Sequence, residues 1–488
     1  MRLSILIAVV LLAAGCAGQG DYFRNAGTPP DVAPLSLGSW PHAELWTGVV
    51  FNGEKIGFTR RTIRPAADAP GRYDMESEAA LRLRFLGVDK RVNLRAFDRM
   101  RADLTLEKFN YEHEIDGSRL AVSGTADGRS ISFTTVAAGS RETKKLLLEK
   151  PLYASSALAL LPLRGLRVGS LGRYSVFHGE TQSVEEAEQE VLAYERSELF
   201  DGAAFKVATR LLGLETTTWI APDGRPLFEL ALRGVMISAL EEAAAARRYL
   251  VEASLNKLDS LVEFSLVRSE PIAEPRRVSR FDIALEGVPA TFALPSDGGQ
   301  SCTRTGEVVA CRIDRNRPLA QDEAGRYLKA SLAAPSLDGE IQALARKIGA
   351  GAKDDVERVE RLLAWMDANI AKEAIDAFTA VDVLHSGRAE CQGHSYLFAA
   401  LARALGMPAR IVNGLAYSES HGGFLYHTWN EAWIGGRGWQ PVDATFGQPH
   451  ADATHVKLVE GETVGELVPL VSLVGRLRAP RVSVLSRW

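Results

Sequence analysis

From about Trp46 to Arg233 the chain alternates apolar and polar residues in short runs, and Asn-Gly, Asp-Gly and Pro-Asp-Gly punctuate them. A period of two cannot be read as a helix, so this feature commits well over a third of the molecule to β-sheet. Gly48-Val49-Val50-Phe51-Asn52-Gly53-Glu54-Lys55-Ile56-Gly57-Phe58 is one such hairpin, and Ser130 to Thr135 and Thr216 to Ile220 are further strands. The turns predict an antiparallel, strongly curved or half-closed sheet. Two stretches interrupt the pattern and read as helical, Leu147 to Leu163 and the Ala-rich Ser238 to Leu258.

The period then changes. Strand-like alternation returns over about 262–317, and from residue 338 helices take over. Ile341, Leu344, Ala345 and Ile348 share one face. Val356, Val359, Leu362, Leu363, Met366 and Ile370 form a second apolar stripe with charges opposite. A third helix is predicted from Cys391 to Leu405, stopped by Gly406 and Pro408. Strands follow at 409–417, 424–434 and 439–444, with Gly435 to Gly438 turning the last two. Helices leading into an antiparallel sheet give an α+β domain behind a mostly antiparallel β domain.

Length and charge narrow the functions. A chain of 488 residues exceeds one ordinary core. Lys plus Arg (57) nearly balance Asp plus Glu (61), and no basic stripe carries aromatics, so no nucleic-acid partner is expected. The N-terminus is distinctive. Met1-Arg2 precedes an apolar run, Leu3 to Ala14, too short to span a bilayer but of signal-peptide length. It ends in Leu12-Ala13-Ala14-Gly15-Cys16, which resembles the lipobox of bacterial lipoproteins. That resemblance implies cleavage before Cys16, lipidation of Cys16 and a chain anchored in the cell envelope facing the periplasm. Ala17 after the cysteine favours the outer membrane. In such an oxidising compartment Cys302 and Cys311, flanking a turn at Gly306, are placed for a disulfide. Cys391 is left as an unpaired thiol, and no CxxC pair suggests a metal site.

An unpaired cysteine at a helix start has a chemical use. The helix N-terminus favours the thiolate, which is the nucleophile. Such a thiol needs an imidazole within reach and a third group to orient it. His427 lies in Tyr426-His427-Thr428-Trp429-Asn430-Glu431, and Asp443 in Trp439-Gln440-Pro441-Val442-Asp443-Ala444 on the next strand. A symmetric turn over 435–438 sets Asp443 across from Asn430, so bringing it to His427 calls for a bulge or register offset. His394 and His421 are rival bases. Gln392, His394 and Trp429 are candidate cleft residues; His450 and His455 could line the cleft too, though surface loop is the preferred reading for both.

These residues carry a resemblance. Glu390-Cys391-Gln392-Gly393-His394-Ser395, the helix exit Ala404 to Arg410, His427-Thr428-Trp429-Asn430-Glu431 and Trp439 to Thr445 resemble, in order and spacing, the transglutaminase-like superfamily of papain-like cysteine enzymes. The resemblance implies that Cys391 is the nucleophile, His427 the base and Asp443 the orienting acid. It implies attack on an amide or peptide carbonyl through a thioester, resolved by water or by an amine. Gln392 follows the cysteine where animal transglutaminases often carry an aromatic, and their calcium loops are not evident, so the likeness reaches the triad rather than calcium-dependent cross-linking. No cofactor or metal is expected.

The resulting layout is a signal peptide (1–15), a tether (16–45), a β-rich domain (46–258), a bridging β segment (259–325), a transglutaminase-like domain (326–470) and a C-terminal tail (471–488). The expected partner is a protein or peptide substrate, cell-wall peptide being one candidate, with membrane attachment through Cys16. The competing readings are a non-catalytic scaffold and a carrier of lipid or another hydrophobic ligand, with the β domain as its cup.

Overall fold

The computed structural model describes residues 22–488 other than 87, 257–258, 260–261, 263–264, 298, 318–323, 472 and 474–475. The signal peptide and Cys16 lie outside the described residues. The chain forms two compact units, residues 1–84, 89–136 and 142–258 in the first, and 85–88, 137–141 and 259–488 in the second.

The first unit is one long, almost wholly antiparallel sheet in which most strands pair with their sequence neighbours. Turn chemistry explains the order. Asn52 and Gly53 have φ of 48° and 82°, and Asp116 and Gly117 have 52° and 91°. Both central residues are thus left-handed, as tight hairpins require. Strand Met236–Glu241 returns to pair with Glu44–Phe51, and a bridge between Thr105 and Tyr153 ties the far strands together. Helix Ala243–Leu255 lies on Trp46 and Phe58 through Ala246. Gly48 admits it, because a Cβ there would meet the Tyr249 ring at 2.4 Å.

Two expectations change here. Leu147 to Leu163 is not a helix but a strand end and short 3-10 turns, Ser155–Ala159 and Leu161–Arg164. Pro151 and Pro162 deny a longer helix the backbone donors it needs. The described part of the tether is docked rather than free. Phe23–Asn25 pairs with Ser183–Ser197, the Phe23 ring stacks on Trp219 at 4.2 Å, and Leu35 N–H donates to Leu163 at 2.9 Å.

The second unit packs four helices, α1 (Gly339–Gly349), α2 (Asp355–Asn369), α3 (Ala380–Ser386) and α4 (Cys391–Ala404), beside a sheet. That sheet contains β1 (Ala409–Ser418), β2 (Gly423–Ile434), β3 (Gly438–Val442) and β4 (Val456–Glu460), with β1 between β2 and β4 and β3 on the far edge of β2. Each helix start carries its cap: Asp338 on α1, Asp354 on α2, the Thr379/Asp382 box on α3 and Glu390 on α4. The α2 stripe Val359, Leu362, Leu363 and Met366 is buried as its spacing predicts. These residues join the middle of α4, Tyr396 to Ala402, in one core.

A second sheet runs in the order Gln300–Thr305, Val308–Asp314, Val278–Glu286, Arg478–Arg487. Cys302 and Cys311 are joined by a disulfide across its hairpin. The segment read as a tail is therefore its edge strand, with Val482 and Val484 packed on the core of this region. Strand predominates over the chain as a whole, so the α+β description fits the helix-bearing region rather than the entire molecule.

Candidate active site

α4 presents Cys391 at its first turn, half-buried and unpaired by any disulfide. Gly393 lets the helix sit close, since a Cβ there would meet that of Ala389 at 2.6 Å. Ser395 Oγ donates to Thr428 O at 2.9 Å, and Asn430 Nδ2 donates to Ser395 O at 3.0 Å. These bonds fix α4 against β2 beside His427.

On β2, His427 Nε2 lies 2.7 Å from Asp443 Oδ2. No bulge was needed. Ile434 pairs with Gly438, leaving a three-residue turn, and Asn430 pairs with Val442. Continuing that register sets Asp443 opposite Trp429, so His427 is its diagonal neighbour on the same face. The expected offset of one residue came from turn length. Gly414, across from His427 on β1, must lack a side chain because a Cβ there would lie 2.1 Å from Val456 O. Phe446 stacks on the His427 ring at 4.7 Å, and Trp429 lies nearly parallel to it at 6.3 Å.

Asp443 is fully buried and its oxygens are saturated. Oδ1 accepts from Thr445 N–H at 2.7 Å and Phe446 N–H at 2.9 Å. Oδ2 accepts from His427 and also from His455 Nε2 at 2.9 Å. Burial alone raises a carboxyl pKa, but the charge and hydrogen bonds of the two imidazoles outweigh it and hold Asp443 well below the usual range.

His455 was read as surface loop. It is instead fully buried, and it is the residue the sequence reading missed. Its Nδ1 faces Asp452 O at 3.2 Å and Asp452 Oδ1 at 3.4 Å. Acceptors face both ring nitrogens, an arrangement that favours the imidazolium form of His455. Burial opposes that charge, and Asp452 and Asp443 more than offset it, raising its pKa. Asp452 is held low in turn, with Arg276 Nη1 at 3.0 Å. The only sequence signal was Asp452 three residues before His455. His427, Asp443 and His455 are also close enough to suggest a metal set. Their 2.7 and 2.9 Å contacts, however, are hydrogen-bond lengths that occupy Asp443 Oδ2 with two donors.

The thiol departs from expectation. Its hydrogen donates to Glu390 Oε2 at 3.3 Å. Desolvation and then the Glu390 carboxylate push the Cys391 pKa well up, against the pull of the Thr428 backbone. The helix N-terminus does not win because burial strips water from the sulfur and Glu390, the cap, adds a negative charge beside it. Glu390→Gln keeps the cap and removes the charge. Alkylation of Cys391 by iodoacetamide near pH 7 should then speed up, about tenfold for each unit the thiol falls. An unchanged pH profile would show that Glu390 does not hold the thiol protonated.

The other candidates separate clearly. His394 is fully buried, its Nδ1 on Glu390 O at 3.0 Å, and burial lowers its pKa. His421 sits at the far end of the β1–β2 hairpin, 2.9 Å from Ser418 Oγ. Gln392 N–H is taken by Glu390 Oε1 at 3.1 Å. Arg410 and Glu431, both in the resemblance segments, form a buried ion pair at 2.5 Å, with Lys457 3.1 Å from Glu431. They brace the sheet rather than line a cleft.

α4 carries a cysteine at its start and packs on the strand that bears His427, with Asp443 just beyond β3, and residues 342–444 match the model of the transglutaminase-like superfamily. Within that class the chain is similar to the kyphoscoliosis peptidases of Mus musculus and Homo sapiens, at 31% identity over 119 and 114 residues. Those stretches are 22% and 21% of this chain but 18% and 17% of the relatives, so the chain spans less than a fifth of their length. Among solved structures, a candidate cysteine protease from Cytophaga hutchinsonii is 18% identical over 43% of this chain and 83% of that one, with a TM-score of 0.27. A β-barrel-like protein of unknown function from Brucella abortus is 9% identical over 41% and 95%, with a TM-score of 0.32. At such TM-scores neither adds to the argument.

Proposed function

We propose that the second unit is a cysteine enzyme that cleaves or transfers amide bonds of proteins or peptides. The observation that carries this reading is the 2.7 Å His427–Asp443 bond on the strands that face the N-terminus of α4. With Nε2 committed to Asp443, Nδ1 of His427 is the nitrogen left to take the Cys391 proton. The sulfur attacks the amide carbon and the carbonyl electrons move to oxygen, where the Cys391 backbone N–H is one stabilising donor. As the C–N bond breaks, His427 returns the proton to the departing amine and a thioester remains. Water or a second amine then attacks the thioester carbon, giving its proton to His427 and releasing the Cys391 thiol. Asp443 holds the imidazole throughout.

A library of internally quenched peptides, assayed with and without a labelled primary amine, tests this. Cys391→Ser should remove both cleavage and amine incorporation. Turnover that persists in Cys391→Ser excludes the assignment, and incorporation without cleavage marks a transferase.

The pattern of residues 1–16 supports a lipid anchor at Cys16 and an envelope location. Cys16→Ser should release the protein from the membrane fraction and abolish fatty-acid labelling. Continued labelling would exclude that site.

A further inference from the structure

The first unit encloses a cavity of about 410 Å³, the size range of small-ligand sites. Its walls include Leu45, Leu94 and Phe228, but charged groups stand among them. Arg61 and Glu229 both line it. Each senses the other's charge, yet neither makes an ion pair with any described residue. Glu229 accepts only from Thr218 Oγ1, at 3.0 Å. Arg61 Nε is buried without a partner, as is Oγ of Ser77, its cross-strand neighbour. His113, on another strand, is buried with both ring nitrogens unpartnered. Also in the lining, Tyr111 and Ser156 both donate to Asp98.

Buried groups left in this state cost free energy unless something joins them. A guanidinium with a neighbouring hydroxyl is a carboxylate site. A separate buried carboxylate across the same space is an ammonium site. A fatty chain would leave Arg61 Nε and Ser77 Oγ unpartnered and the Glu229 charge unmet, which argues against the hydrophobic-carrier reading. An inorganic anion would leave Glu229 unmet. We propose that the cavity binds a small zwitterion, an α-amino acid or short peptide, with its carboxylate on Arg61 and Ser77 and its ammonium at Glu229.

Titration calorimetry and thermal melts on the full chain, with Cys391 first blocked by iodoacetamide, test this apart from the catalytic reading. The probes are Ala-Ala, N-acetyl-Ala-Ala, Ala-Ala-amide, the doubly blocked dipeptide and palmitate. Ala-Ala should bind and raise the melting temperature. Each singly blocked form should bind about tenfold or more weakly, and the doubly blocked form weaker still. Arg61→Gln should erase the preference for a free carboxylate, and Glu229→Gln the preference for a free amine, each in a protein that still melts cooperatively. If either variant fails to fold, the ranking on the unmodified sequence decides. Equal binding of blocked and free peptides, tighter binding of palmitate, or no binding of Ala-Ala overturns the proposal.

Discussion

Asp443→Asn should lower kcat by about 10³- to 10⁴-fold, the cost of losing the acid that fixes the imidazole in related triads. The reason is visible in the contacts. An amide cannot accept on one oxygen from both imidazoles while carrying the charge that they require. The same variant should be less stable by about 3–5 kcal/mol near neutral pH, because His455 keeps a buried charge with one partner removed. Its pH dependence separates the two effects. The folded pKa of Asp443 is depressed, so its contribution is present above the unfolded carboxylate value near 4 and is lost as pH falls towards the folded value. Wild type should thus lose stability steeply on acidification, and the variant should show a shallower acid slope. Asp452 shifts in the same direction and retains its own part. Denaturant melts between about pH 3 and pH 7 provide the check. Near-normal kcat in a folded Asp443→Asn protein would remove Asp443 from the mechanism.

His455→Gln should destabilise the second unit by a comparable 3–5 kcal/mol, roughly 10 °C in its melting transition. Glutamine can donate to Asp443, but it brings no charge between two buried carboxylates. Here the sign is opposite. The folded pKa of His455 is raised, so its contribution is complete below the unfolded imidazole value near 6.5 and disappears as pH rises through the folded value. Wild type should therefore lose stability on the alkaline side, and His455→Gln should lack that slope. The double variant should cost less than the sum of the singles by about 0.5–3 kcal/mol, since both remove the same contact. A neutral outcome for His455→Gln at pH 6 would mean that the residue is not an imidazolium.

Which features could be read from the sequence follows from their range. The α2 stripe, the helix caps and the Asn-Gly and Asp-Gly hairpins depend on residues within a few positions, and the sequence spacing locates them. Cys391, His427 and Asp443 could be singled out because three motifs keep their order, and the structure sets the last two 2.7 Å apart. The register linking His427 to Asp443 was off by one, since a three-residue turn cannot be told from a four-residue one in Gly435-Gly436-Arg437-Gly438. His455 was hidden because no periodicity marks a loop residue that folds back under a sheet. The thiol's protonated state was hidden too, because it depends on which way the Glu390 side chain turns. The edge strand at Arg478–Arg487 did carry alternation, in Arg481-Val482-Ser483-Val484, but its partner lies far back in the sequence.

That last pairing bears on biogenesis. Strand Arg478–Arg487 is laid against Val278–Glu286, while Cys391, His427, Asp443 and His455 all fall between the two. On a ribosome the hairpins of the first unit close as they emerge, each costing little loop entropy. The sheet of the second unit must wait for its final strand. A nascent chain therefore carries Cys391 for the synthesis time of roughly another hundred residues, some 5–20 s, before that sheet is complete. Cys302 and Cys311 both precede Cys391 and face each other across one hairpin, so their disulfide can close before the third thiol emerges, and chain order itself guards against a wrong pairing.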